Sequence, residues 1–271
     1  MSENKLCKNC NSEIIDLYCS KCGQKDTELL SVKAIVREFT DNVFSFDSRF
    51  FITLKYLMTK PGFLTTEYWA GKRTKYLPPL RLYLVLSVLY FFISPIIEPD
   101  SFMEISQTRN GEKAPFEIKL DNPQPKIIKY VIENINKGHK IVFERQLSYD
   151  KELYSILPSA MFILMPFMGV LILLLYKKHM LFYSFHLITA LHFHCFAFLI
   201  FLINAFIPFF DILLQLFFLC YTVSMMKNIY CNSWIKTIMK FPILFITYGT
   251  TVVLTSLALL QIKLFLLGYN A

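Results

Sequence analysis

Glycine is scarce in this chain, with 8 residues in 271, and charged residues make up only 18%. So few glycines argue against an enzyme scaffold built on Gly-rich loops. So few charges argue against a soluble domain, which carries roughly 25% charged residues to cover its surface. No P-loop, dinucleotide fingerprint, serine nucleophile elbow or zinc-protease motif occurs. No apolar stretch opens the chain, so no signal peptide is expected.

What is abundant is apolar. Hydrophobic residues make up 55% and Phe alone supplies 27. The mean hydropathy is +0.44. Disorder is excluded for most of the chain. The apolar residues gather in runs at 80–97, 156–176, 181–206, 209–226 and 241–262. A bilayer core takes about 20 apolar residues per helix. The expectation is an all-α polytopic membrane protein with five transmembrane helices. Its expected parts are a four-Cys knuckle at 1–26, cytosolic or interfacial amphipathic helices at 27–79, the first membrane helix at 80–97, an extracytoplasmic loop or cap at 98–155, and a four-helix region at 156–271.

Lys and Arg orient the chain, because they concentrate on the cytoplasmic side. With the N-terminus inside, 18 of the 28 basic residues face the cytoplasm, 13 of them within 1–81. The inside then sums to +9 and the outside to −1. The net charge of +8 is therefore a topology signal rather than a basic surface for nucleic acid.

Four of the seven cysteines form two C-x-x-C pairs, Cys7/Cys10 and Cys19/Cys22. Each pair presents two thiolates to one ion, and two pairs complete a tetrahedral sulfur set. Asn11 and Gly23 follow the pairs and suit the tight turns such knuckles need. Two disulfides are the alternative, which a reducing cytoplasm opposes. Zinc is expected, with iron in a rubredoxin-like site as the competing metal. Four thiolates leave no open position, so the site reads as structural. Glu13, Asp16 and Asp26 dilute the nearby lysines, and Tyr18 is the lone stacking aromatic, which argues against nucleic acid.

Leu29, Val32, Val36, Phe39 and Val43 follow helical spacing. A second helix is expected at 48–59, with Asp47 as its N-cap and Pro61-Gly62 as its stop. Tyr68 and Trp69 then lead into Gly71-Lys72-Arg73-Thr74-Lys75-Tyr76. Lys72, Arg73 and Lys75 are candidates for anionic lipid or phosphate, or are simple topological anchors.

His186, His192 and His194 fall in the third membrane run. On a straight helix His192 and His194 point about 200° apart, and His186 lies about 12 Å from His194 along the axis. One helix therefore cannot make a metal site from them. Hydrogen bonding to neighbouring helices is the plainer role, and a proton or metal pathway the sharper one. Thr247, Thr251, Thr255, Gly249 and Ser256 suggest a helix-contact surface. Phe116 to Leu120 suggests a strand, and 126–136 a helix.

Three patterns together resemble a known family. They are Cys7-x2-Cys10-x8-Cys19-x2-Cys22-Gly23-Gln24, then Thr53 with Lys60-Pro61-Gly62 and Tyr68-x2-Gly71-Lys72-Arg73-x2-Tyr76-x-Pro78, then His186-Leu-x3-Leu191-His192-Phe-His194. The chain resembles the bacterial membrane family called domain of unknown function 3667. The family usually has an acid before the first motif His, where this chain has Phe185. The resemblance implies a multi-pass protein of the bacterial cytoplasmic membrane and no assigned activity. The functional expectation is a non-enzymatic scaffold or sensor with a structural zinc site and a cytosolic or membrane protein partner, a homo-oligomer being left open. The alternatives are a small transporter using the histidines and a lipid-acting membrane enzyme.

Overall fold

The computed structural model describes residues 6–14, 17–24, 48–97, 107–109, 112–114, 117–118, 125–144, 149–176 and 182–270. The described chain is almost entirely helical. In order, α1 is Ser48–Thr59, α2 Phe63–Trp69, α3 Pro79–Ile97, α4 Lys126–Glu144, α5 Tyr149–Tyr176, α6 Tyr183–Phe206, α7 Asp211–Tyr230 and α8 Trp234–Tyr269. Two three-residue strands, Gln107–Arg109 and Glu112–Ala114, form an antiparallel hairpin between α3 and α4. The amphipathic pattern at 29–43 and the Asp47 cap lie outside the described residues.

Five helices are long and apolar enough to cross a membrane: Pro79–Ile97, Ser155–Tyr176, Tyr183–Phe206, Pro208–Tyr230 and Trp234–Tyr269. The number matches the five runs. The lengths do not always match. Helix α8 has 36 residues, about 54 Å of helix against a hydrocarbon core of about 30 Å. Hydropathy finds only the uncharged stretch between Lys240 and Lys263. Helix formation ignores that limit, because lysines are good helix formers and reach out of apolar surroundings on long stems. The expected 227–240 loop is thus mostly helix, with a turn only at 231–233.

The chain forms two compact units, 1–97 with 165–246 and 98–164 with 247–271. In the first, α6 is central. Sixteen of its 24 residues are buried, whereas α7 and α8 keep large apolar side chains such as Ile212, Leu216, Ile238 and Ile246 exposed. Helix α3 packs along α6 through aromatic rings. Tyr83 meets His194 edge-on at 6.1 Å, and Tyr90 and Phe91 both contact Phe198. Phe196 stacks on Tyr221 of α7 at 3.8 Å.

Helices α1 and α2 fall within the stretch expected to form cytosolic or interfacial helices. They form a hairpin packed against α6 and α7. The Tyr221 hydroxyl donates to the Leu57 carbonyl, and the Asn228 amide donates to the Pro61 carbonyl at 3.0 Å. Leu57 lies in the last turn of α1, where the helix leaves its final carbonyls without partners, and Pro61 lies in the turn just beyond it. Gly62 makes the turn at φ +83. A Cβ there would lie 2.9 Å from Ile229 Cγ1 and 3.1 Å from the Met225 carbonyl. Conformation and space both require glycine.

In the second unit, Val142, Leu260 and Leu264 form a core with Leu153, Ile156 and Leu267 around it. Helix α4 runs eight residues beyond its expected end. Of the strand expected at 116–120, only Glu117 and Ile118 lie among the described residues, and both are irregular. The Asn136 amide accepts from the Ile118 N–H at 2.9 Å and donates to its carbonyl at 3.1 Å. A side-chain amide thus takes the place of a partner strand. Of the contact surface expected on α8, Ser256 is buried, Thr251 and Thr255 are half-buried, Thr247 is exposed, and the space beside Gly249 is open.

Glycine substitutions separate these environments. A Cβ at Gly138 would overlap the Leu264 backbone, and one at Gly268 the Asn134 backbone. Gly138→Ala and Gly268→Ala are expected to destabilise by about 1–3 kcal/mol through overpacking. Gly249→Ala is expected to be neutral or to stabilise by up to about 1 kcal/mol. Reversible unfolding in detergent measures all three, and equal effects would refute the close α4–α8 packing.

Candidate metal centre and its contacts

The two knuckles have the same backbone. The Cys7 N–H donates to the Ser12 carbonyl and the Asn11 N–H to the Cys7 carbonyl, both at 2.8 Å. The second knuckle repeats both bonds at 2.8 Å, from Cys19 to Gln24 and from Gly23 to Cys19. Asn11 at φ +58 and Gly23 at φ +70 supply the left-handed residue of each turn. Each turn folds its two thiols to one side.

The four sulfurs of Cys7, Cys10, Cys19 and Cys22 lie within 4.8 Å of one another. Cys7 and Cys22 are 3.6 Å apart, and Cys10 and Cys19 3.5 Å. A tetrahedron with Zn–S bonds of about 2.3 Å places its sulfurs about 3.8 Å apart. The donor set therefore fits a tetrahedral ion. The Ser12 hydroxyl lies 2.9 Å from Cys10 Sγ and 3.1 Å from Cys19 Sγ, so it can donate to a thiolate. Its hydrogen bond, with the N–H of Cys22, holds the Cys19 thiol down at about 6. Burial pushes Cys7 up to about 11.

The knuckle does not stand alone. The Gln24 amide donates to the Gly71 carbonyl at 2.6 Å and accepts from the Arg73 N–H at 3.1 Å. Gly71 has φ +86, and a Cβ there would lie 2.8 Å from Lys8 Cδ. The 71–77 segment is also tied to α1. Arg49 donates to the Thr74 carbonyl at 3.2 Å, and the Leu77 N–H donates to Thr53 Oγ1 at 3.0 Å.

The candidate lipid ligands are placed differently from one another. Lys72 pairs with Glu67 at 2.8 Å, and Arg73 lies over the Tyr68 ring at 5.6 Å. Lys75 is exposed beside Tyr76. Two of the three are therefore engaged inside the protein.

The three histidines are all buried, and each has a different partner. His186 Nδ1 shares a hydrogen bond with the Tyr230 hydroxyl at 2.8 Å, and Thr189 approaches the same hydroxyl at 3.3 Å. His192 Nδ1 bonds Thr65 of α2 at 2.9 Å. His194 Nδ1 donates to the Ala190 carbonyl at 2.7 Å. Among the described residues the one cluster able to hold a metal is the four-Cys set. Thr65 and Tyr230 carry key contacts and have no signal in the sequence, whereas Gln24 stands there only as the end of the cysteine pattern. A lone Thr or Tyr beside apolar residues gives no signal before its partner is known.

These features define a multi-pass helical membrane protein with an N-terminal four-Cys centre. A family model described as protein of unknown function (DUF3667) matches residues 47–91. That stretch runs from α1 through the Lys60-Pro61-Gly62 turn and the Gly71-Lys72-Arg73 loop into α3, so the resemblance to this family is shown there. No curated protein and no solved structure matches the chain.

The Thr65–His192 bond has a measurable value. A double-mutant cycle with Thr65→Val and His192→Phe is expected to give a coupling of about 0.6 kcal/mol, the typical size for a hydrogen bond made by a side chain of a membrane helix. Additivity of the two substitutions would refute a stabilising bond.

Proposed function

We propose that this protein is a non-enzymatic scaffold or sensor of the bacterial cytoplasmic membrane, with its N-terminus in the cytoplasm and a structural zinc ion on Cys7, Cys10, Cys19 and Cys22. The observation that carries the reading is the convergence of four sulfurs within 4.8 Å. Zinc suits this set because it takes four thiolates tetrahedrally and needs no redox partner. Four protein ligands leave no position for a substrate, which favours a structural role. The separate partners of His186, His192 and His194 support a packing role over a pathway along α6. The internal pairing of Lys72 and Arg73 weakens the case for a lipid-acting enzyme.

Purified protein is expected to hold one zinc per chain. Cys19→Ser should remove it, as should a strong chelator, and elemental analysis reads both. Less than one metal ion per chain in protein purified without chelator would overturn the reading, and iron in place of zinc would correct the metal.

The orientation has its own test. In a chain with Cys195, Cys220 and Cys231 replaced, Tyr130→Cys is expected to react with an impermeant thiol reagent added outside cells. Labelling only after the cytoplasmic side is opened would reverse the topology.

A further inference from the structure

The two knuckles share one backbone but use their last residue in opposite ways. Ser12 and Gln24 occupy equivalent places, each giving its carbonyl to the first Cys N–H of its own knuckle. The Ser12 side chain turns inward to the sulfurs. The Gln24 side chain turns outward and is buried against the 71–77 segment, with both amide ends used. A centre needed only to hold its own knuckle together has no use for the second arrangement.

We propose that metal binding at the four-Cys centre latches the Gly71–Arg73 loop through Gln24, so that metal occupancy is communicated to the segment entering the first membrane helix. This rests on the metal reading above. The ion fixes Cys19 and Cys22, and their turn fixes the direction of Gln24. Two hydrogen bonds then hold the Gly71 carbonyl and the Arg73 N–H. Without the ion, so short a segment has no core to keep that turn, and the Gln24 amide loses its fixed position. Gly71 contributes by allowing Lys8 of the first knuckle to lie against the loop. On the loop's other side, Arg49 and Thr53 hold Thr74 and Leu77. The latch therefore closes a layer running from the sulfurs to α1. By linkage, the loop must strengthen metal binding by the same factor as the metal strengthens the latch.

The test uses the full chain in detergent micelles, with zinc and after chelation. Hydrogen exchange is read at the Arg73 amide, and zinc content is measured on the same samples. Zinc is expected to slow that exchange by about tenfold, within the ordinary range of coupling. Gln24→Ala should remove the slowing and weaken zinc binding by a similar factor. Gln24→Glu keeps the acceptor for Arg73 and loses the donor to Gly71, so it should fall between. Trypsin provides a second readout, since Lys72, Arg73 and Lys75 are cleavage sites inside the loop. Equal exchange with and without zinc, in protein shown to bind one ion, would overturn the latch and leave the metal site standing. Slow exchange retained in zinc-loaded Gln24→Ala would also overturn it. Absence of bound metal in wild-type protein would overturn the metal reading itself.

Discussion

Polar side chains buried in apolar surroundings must find partners within the protein, and helix α6 imposes that constraint on everything around it. It carries Ser184, His186, Thr189, His192 and His194 at buried positions. No bilayer water can satisfy them, and an unpaired buried donor or acceptor costs about 1–3 kcal/mol. Each histidine therefore selects a neighbour. His186 draws in Tyr230 at the end of α7. His192 draws in Thr65, and with it the α1–α2 hairpin. His194 turns back to its own helix. The Trp69 indole closes the arrangement by donating to the Phe185 carbonyl at 3.2 Å.

A second rule recurs in both compact units. A side-chain amide pairs with backbone where the chain has no helix or sheet to satisfy it. Asn136 does so at Ile118, and Gln24 does so across Gly71 and Arg73. One amide offers a donor and an acceptor side by side, which matches what irregular backbone exposes. The matched family stretch, residues 47–91, is in this light a packing unit. Thr53 holds the Leu77 N–H, Pro61-Gly62 turns against α7, and Gly71 admits the knuckle.

Much of this was legible before any coordinates. The five spans, the start of α1 at Ser48 and the start of α4 at Lys126 follow from apolar runs and helix punctuation. The four cysteines follow from spacing. The sequence leaves open which helices α1 and α2 meet, because an amphipathic helix beside basic residues looks alike whether it lies on headgroups or against another helix. The reading shortened α8 because hydropathy sees apolar length and not helix length. It read a strand near Ile118 because apolar alternation cannot tell a partner strand from a side-chain amide.

Local chemistry, then, was determined by the sequence alone. Apolar run lengths demanded spanning helices, paired C-x-x-C spacing demanded a common sulfur site, and Pro61-Gly62 demanded a turn. The tertiary structure decided which polar groups meet. Thr65 and His192 are 127 residues apart, and Gln24 and Gly71 are 47 apart. A hydrogen bond depends on distance and direction in space, and separation along the chain encodes neither.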